Sequence, residues 1–339
     1  MTGIIAKYNI NNTILLTGAG FTCNFGGFLA NEMWALIFNH SEVGKYPQLK
    51  ELLKDDFDYE SIYYGVIEGN EFNEDEKKAL TDAVFSAYKK LDDKIRKYRS
   101  LGKKQPVSIN NVSKFIERFS GYPAYTGRNN TKGFFFTLNQ DLFIERYYSS
   151  PNFKPITLGV SQPTISQDEE YDEKTHSVTL PLAADIERTN PLSSSKFFYV
   201  KLHASWNWYS SNGMRKMVIG RNKINQINTE PTLMRYLDIF KEVLLNKNVR
   251  FFVIGYGFAD EHINEVIADS MEQNSLKLYV LNPTDPENFK YDLCKKPFGQ
   301  MIFSGLIGYH PYNLSTVFPG DDRDTTEYEL IRDSFFNAI

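Results

Sequence analysis

The first residues that could do chemistry are small ones at the end of an apolar run. In "TILLTGAGFT", Gly18, Ala19 and Gly20 follow a stretch of β-forming residues. Absent or small side chains let a backbone approach a pyrophosphate at the start of a helix, whose N–H groups favour anions. A tight strand-to-helix turn explains the same residues equally well. Cys23 stands where the dinucleotide fingerprint has its third glycine, and no acidic residue at a strand end follows about 20 residues later to bind a ribose, which disfavours a dehydrogenase.

Two polar residues follow a second apolar run, in "FFFTLNQD". Asn139 and Asp141 lie just beyond the carboxyl end of a predicted buried strand, where open α/β sheets bind their ligands. An Asn-x-Asp at this place also serves to cap the helix that follows. Considered alone, the pair is better explained as a cap.

A histidine follows a third run, in "FFYVKLHASWNW". His203 at the carboxyl edge of a sheet is suited to act as a general base near neutral pH, although a lone histidine is more often structural. Among the five histidines it alone has this position, since His262, in "GFADEHIN", belongs to the first turn of a predicted helix.

Two further strand ends carry candidate site residues. "RFFVIGYGFAD" brings Gly255 and Gly257 before a helix that Asp260 is predicted to cap, and "LYVLNPTDP" ends at Asn282 before a proline turn. Each has an ordinary turn explanation. All five ends nevertheless fall on one edge of a parallel sheet, which favours a shared binding site.

The elements that position these residues alternate between strands and helices. Strands are predicted at 13–18, 133–138, 197–202, 250–255 and 276–281. Helices are predicted at 25–39, about 73–100, 112–119, 231–245 and 260–271. This alternation predicts an α/β fold, a Rossmann-like doubly wound parallel sheet.

One domain covering residues 1–339 is predicted, with two departures from simple crossovers. About 115 residues separate the first two strands, which predicts a helical insertion at about 49–130 covering one side of the sheet. An acidic loop, 167–176, lies between the second and third strands. A C-terminal helical extension, about 285–339, ends in "TEYELIRDSFFNAI", which is typical of a docking helix.

Composition narrows the function classes. The net charge of -4 gives no basic field for nucleic acid, and Cys23 and Cys294 are too few for a four-thiolate zinc site. The longest apolar runs fall short of the roughly 20 residues of a membrane helix, and no signal pattern is present. We therefore expect a cytoplasmic protein without membrane contact and without a bound metal.

Together the motifs resemble the sirtuin family, specifically the bacterial sirtuin-like proteins of antiphage defence. The matching stretches are "GAGFT", "TLNQD", "KLHAS", "IGYGFADEHIN" and the "LN" that ends the fifth strand. They span residues 13 to 283 in order. The insertion and the C-terminal 50 residues lie outside the resemblance.

The resemblance implies NAD as substrate and a role for each motif. Gly18, Ala19, Gly20 and Thr22 would hold the NAD phosphates, and Gly255, Gly257 and Asn282 would line the adenosine half. Asn139 would order the nicotinamide ribose and the attacking water. Asp141 would face the carboxamide, and His203 would be the base on the ribose side.

Three differences from the deacetylating sirtuins indicate which branch of the family the chain resembles. Deacetylating sirtuins carry four zinc cysteines after the histidine motif, whereas residues 204–293 contain no cysteine, so no zinc module is predicted and deacetylation should be absent. The Pro-Asp-Phe-Arg loop of the deacetylases is replaced by "NFGGFLANEMW". Ala204 replaces the glycine after the histidine.

The function implied by the resemblance is NAD glycohydrolysis, which depletes NAD during infection, beside a possible HerA-type ATPase partner. One alternative is a nucleotide sensor that signals by assembly, although retention of Asn139 and His203 argues against it. Another is a DNA-cleaving subunit of a larger complex. The basic run 89–104 is better explained as a solvated helix face than as a DNA contact.

An NAD hydrolase must be restrained in its own cell, so a homo-oligomer with a controlled site is expected. The helical block 49–119 and the acidic loop are the candidate restraints. Aromatic residues in "DFDYESIYYGVIEG" either form a subunit interface or pack on the sheet, and the sequence leaves both open.

Overall fold

The computed structural model describes residues 8–122, 131–148, 155–163, 165–188, 192 and 197–337. Its strands are β1 Thr13–Thr17, β2 Gly133–Thr137, β3 Ile156–Thr157, β4 Val178–Thr179, β5 Phe197–Lys201, β6 Ala204–Tyr209, β7 Arg215–Met217, β8 Arg250–Ile254, β9 Lys277–Leu281 and β10 Leu306–His310. Seven of them form one parallel sheet in the order β10-β9-β8-β1-β2-β5-β3. The predicted Rossmann-like α/β fold is confirmed.

All five predicted strands are present, and the sheet extends beyond them at both edges. β10 and the two-residue β3 were missed, because short or mixed edge strands lack the continuous apolar run of a buried strand. β4, which precedes the histidine motif, forms a separate sheet of three strands, β4-β6-β7, with the two strands that follow this motif.

The helices surround the sheet. They are α1 Ala19–Thr22, α2 Ala30–Phe38, α3 Ser41–Gly44, α4 Pro47–Asp55, α5 Tyr59–Glu68, α6 Glu74–Lys97, α7 Ile109–Glu117, α8 Phe143–Tyr147, α9 Glu173–His176, α10 Ala183–Arg188, α11 Lys223–Asn228, α12 Pro231–Leu244, α13 Glu261–Asn274, α14 Pro286–Cys294, α15 Gly299–Ser304, α16 Leu314–Val317 and α17 Thr326–Ile331. Short 3-10 turns occupy Cys23–Phe25 and Tyr98–Lys104, and a π turn occupies Arg332–Phe336. Within the described ranges, no helix has the length and apolar character that a bilayer crossing requires.

Side chains alternate between two cores, one on each face of the sheet. Ile14 and Leu16 of β1 point into a core completed by α12 and α13. Leu15 points the other way, into a core built largely from α2 to α7 and the C-terminal helix. Helices between β1 and β2 therefore cover one side of the sheet, while the predicted insertion, its limits and the single-domain division stay predictions.

A local signal sets the start of α6, whereas the start of α2 differs from the prediction. Asn73 accepts from the Glu76 N–H while Glu76 accepts from the Asn73 N–H, a capping box that begins α6 one residue after the predicted start. The helix predicted at 25–39 is wrong in its first turn. Gly26 has φ +90, a left-handed conformation that no right-handed helix can include, and the helix begins at Ala30.

Candidate functional site

A cavity of about 1330 Å³ opens at the carboxyl edge of the sheet. Eight of the ten predicted site residues line it: Gly18, Ala19, Gly20, Asn139, His203, Gly255, Gly257 and Asn282. They come from the ends of β1, β2, β5, β8 and β9, because parallel strands bring their carboxyl ends to one edge.

The glycines let two turns pack directly on each other. Gly20 donates its N–H to the Gly255 carbonyl at 3.0 Å, and a Cβ on Gly18 would lie 2.6 Å from that same carbonyl oxygen. Gly255 has φ +66, and its own Cβ would lie 2.2 Å from the Phe21 nitrogen. Packing therefore requires these glycines whether or not a phosphate binds.

The helix that follows the first glycine turn is shorter than expected. α1 contains 4 residues and passes at once into the 3-10 turn Cys23–Phe25. The N–H groups of Gly18, Gly20 and Phe21 already donate to backbone carbonyls, so a phosphate at this turn would have little support from these N–H groups or from a helix dipole.

Asn139 has a fixed orientation in the cavity wall. Its Nδ2 donates to the Gly18 carbonyl at 3.0 Å and to Thr22 Oγ1 at 3.2 Å, which uses both amide hydrogens. Among the described residues its Oδ1 has no partner. The amide is therefore held so that an acceptor remains for a hydroxyl or a water molecule.

Thr22 and Asp141 lie behind the cavity wall rather than in it. The Asp141 carboxylate accepts from the Phe143 N–H at the start of α8 at 3.0 Å, although Leu142 and not Asp141 holds the N-cap position. Lys201, fully buried, donates to the Asp141 carbonyl and pairs with Glu145 at 2.8 Å. The expected contact of Asp141 with a carboxamide stays a prediction.

Burial raises the pKa of Asp141 from 3.8 to about 6, against the opposing effect of Lys201. Since the folded-state pKa lies above the unfolded one, the folded protein binds this proton first, and stability contributed here rises as the pH falls from 6 toward 3.8. We expect Asp141→Asn, which keeps the acceptor for Phe143, to stabilise the protein at pH 7 by up to about 3 kcal/mol. Urea unfolding at pH 7 and pH 4 tests this, and an equal difference at both would contradict it.

His203 is held at the end of β5 by backbone bonds. Its carbonyl accepts from the Val218 N–H at 3.2 Å and from Gln140 Nε2 at 3.3 Å. Ala204 has φ 65, the left-handed conformation that glycine adopts without strain. The alanine that replaces the family's glycine therefore keeps a glycine-like turn, and His203 is 3% exposed at the cavity wall.

A second histidine pairs with His203. Its Nε2 lies 3.1 Å from Nε2 of His262, and the ring centroids lie 5.3 Å apart. The difference between these distances equals about two ring radii, so each nitrogen points at the other ring. Burial lowers the pKa of His203 well below its ordinary value and that of His262 to about 4, so both rings are neutral near pH 7.

Charged residues surround the histidine pair. Lys223 Nζ lies 2.8 Å from Asp260 Oδ1 and 3.1 Å from Glu60 Oε2. Burial would raise the pKa of Asp260, but His203 and Lys223 hold it below its ordinary value. Asp260 occupies the N-cap position of α13, yet its side chain makes no capping bond, so the predicted cap is corrected to an ion pair.

His203, Asp260 and His262 place ligand atoms within 4.8 Å of one another, a donor set that suits a transition metal. Two features fit a metal poorly. The histidine nitrogens face each other instead of converging on a third point, and an Asp260 oxygen already accepts from Lys223. The arrangement is that of a hydrogen-bonded pair beside an ion pair, and the predicted absence of a metal stays a prediction.

Sequence reasoning missed several residues at this site. His262 was correctly predicted at the start of a helix, but its contact with His203 was not predicted. Lys223 and Glu60 belong to none of the five motifs. Gln140, inside "TLNQD", donates to the Val218 carbonyl at 2.8 Å and accepts from the Tyr88 hydroxyl of α6. Its place between two predicted site residues was the available signal.

Residues 133–297 match the family model of the SIR2-like domain. This match supports a sirtuin-like domain protein. The matched segment contains the strand ends that carry Asn139, His203, Gly255 and Asn282, whereas the glycine turn after β1 lies outside it. No curated protein matches the chain. SIR2-like domains use NAD, which is consistent with an NAD-related activity.

Proposed function

We propose that this chain hydrolyses NAD to nicotinamide and ADP-ribose. The observation that carries the proposal is the position of Asn139 and His203. They follow β2 and β5, which are neighbours in the sheet, and they line one cavity with the glycine turns of β1 and β8. A binding protein needs neither an oriented amide nor a buried imidazole at this place.

The chemistry suits these groups. The bond between the ribose C1′ and the nicotinamide nitrogen breaks, and its electron pair neutralises the pyridinium as nicotinamide leaves. Water attacks the electron-poor C1′, and Asn139 Oδ1 is the acceptor that would orient this water or a ribose hydroxyl. His203 would take the proton that is released.

The size of the cavity supports a large ligand. Its volume of about 1330 Å³ exceeds the roughly 300–1,000 Å³ of ordinary small-molecule sites. Asn282 stands at the β9 end of the wall, two strands away from β1 across the sheet. An extended dinucleotide would use this length, with the adenosine half toward Asn282.

The wider role that we propose is antiphage defence through NAD depletion, in a homo-oligomer that works beside a HerA-type ATPase. This role is supported by the resemblance of the five motifs to those of the sirtuin-like proteins of antiphage defence. The helical insertion is the better candidate for a restraint, because Asp58 and Glu60 line the cavity, whereas no residue of 167–176 does. In α5, Tyr59 and Ile62 are buried, and Phe57 before it is 66% exposed, so most of its apolar surface packs inward.

The proposal is tested by incubating purified protein with NAD and separating the products by liquid chromatography. We expect nicotinamide and ADP-ribose in equal amounts, and the retention time separates linear from cyclic product. Bound but intact NAD, at both low and high protein concentration, would contradict hydrolysis and favour the sensor alternative.

A further inference from the structure

We propose that His262 relays a proton from His203 to water in the cavity, acting through His203 rather than on the substrate. The inference rests on the proposed hydrolysis and adds a residue to its machinery. It is carried by the direct bond between the two Nε2 atoms and by the different exposure of the two rings.

Hydrolysis of NAD must dispose of one proton. Water contributes its oxygen to C1′ and one hydrogen to the new hydroxyl, and the leaving nicotinamide is neutral without a proton. The second hydrogen of water is therefore released as H⁺ in every turnover. A base that holds this proton without passing it on would stop after one cycle.

His203 is poorly placed to release the proton by itself. It is 3% exposed, and its Nε2 is engaged by His262. Within the part of the chain that the structure describes, its Nδ1 has no hydrogen-bond partner, so Nδ1 is the atom available to accept a proton from the reaction. His262 is partly exposed and lines the same cavity, so its ring can exchange protons with water.

The transfer balances atom by atom. In the resting pair His203 carries its hydrogen on Nε2 and donates it to Nε2 of His262, whose own hydrogen is on Nδ1. When Nδ1 of His203 accepts the reaction proton, the Nε2 hydrogen moves to His262. His262 then releases its Nδ1 hydrogen to water. After the products leave, Nδ1 of His262 takes a hydrogen from water, the Nε2 hydrogen returns to His203, and Nδ1 of His203 gives its hydrogen to the water that enters the site, which restores the resting tautomers.

The surrounding charges favour a transient positive charge on the pair. The Asp260 carboxylate favours a positive charge on either ring and Lys223 opposes it more weakly, while Glu60 pairs with Lys223. Lys241 opposes protonation of His262 more weakly than Asp260 favours it. Burial keeps the pKa values of both rings low, so the proton is not retained at rest.

Turnover of His262 variants is the first test. We expect His262→Ala to lower kcat for NAD roughly 10- to 100-fold while KM changes by less than about threefold, since the residue acts on the proton and not on binding. Free imidazole should restore turnover of this variant in proportion to its concentration and leave the wild type unchanged.

A matched pair separates relay from ring placement. His262→Gln keeps an acceptor for the His203 N–H but cannot relay, so we expect it to stay slow, with an acid limb of its pH–rate profile different from that of the wild type. His40→Asn, at the start of α3 and outside the cavity, should behave like the wild type. Wild-type kcat in both His262 variants would overturn the relay.

The pairing itself is tested without any turnover. The chain has five histidines, so ¹⁵N-histidine labelling with single substitutions assigns each ring by nuclear magnetic resonance. We expect His203 and His262 to be neutral at pH 7, with one Nε2 protonated and the other not, and each signal to shift when the other residue is replaced. Independent titration of both near pH 6.5 would overturn the pairing, whereas an intact pair in a protein that leaves NAD intact would refute the hydrolysis instead.

Discussion

Asn139→Ala and His203→Ala should each reduce nicotinamide release from NAD by at least about 100-fold. The first substitution removes the acceptor that orients water or a ribose hydroxyl, and the second removes the base. Both residues lie at the rim of the core, so the fold should survive.

Two control substitutions at adjacent residues outside the cavity distinguish a loss of catalysis from unfolding. Asn39→Ala and His40→Ala change the same residue types at the end of α2 and before α3, outside the cavity, and should keep wild-type turnover. Circular dichroism and thermal unfolding check that all four variants are folded. Wild-type rates in both the Asn139 and His203 variants would refute the proposed mechanism.

Gly255→Ala should destabilise the protein by about 2–5 kcal/mol. The added Cβ would lie 2.2 Å from the Phe21 nitrogen and 2.4 Å from the Gly20 carbonyl carbon, which are backbone atoms that cannot rotate away. The backbone at φ +66 adds the strain that any L side chain has there. Denaturant unfolding measures the loss.

Gly257→Ala provides the matched control for stability. A Cβ at Gly257 would meet nothing within 4 Å, so we expect a change below about 0.5 kcal/mol. Equal unfolding free energies for the two variants would show that the contact between the turns of β1 and β8 contributes little. A loss confined to Gly255→Ala would show that this contact shapes the cavity wall.

The sheet was largely predictable from the sequence because its central strands are buried on both faces. Such strands read as continuous apolar runs, and "GFFFTL" and "RFFVIG" matched β2 and β8 within a residue at each end. β10, "LIGYH", is an edge strand with partly exposed side chains, and β3 has two residues, so neither has that signature. The late start of α2 followed from the backbone of Gly26, which a periodic pattern does not report.

The site was predictable where it depends on strand ends and not where it depends on contacts between distant segments. Asn139 and His203 follow their strands directly, so topology alone brings them together. Glu60 reaches Lys223 from the insertion, and His262 meets His203 from the first turn of α13. Nothing local in the chain encodes those two contacts, and they determine the charge around the proposed base.

The central position of β1 has a consequence for biosynthesis. This strand is made before both of its neighbours, β2, which begins at Gly133, and β8, which begins at Arg250. At about 5–20 residues per second, the edge of β1 that pairs with β8 stays unpaired for roughly 10–50 s after β1 is made. The helices between Ala30 and Lys97 leave the ribosome during this interval and bury the face that carries Leu15. The insertion therefore shelters a strand that would otherwise be open to pairing with other nascent chains.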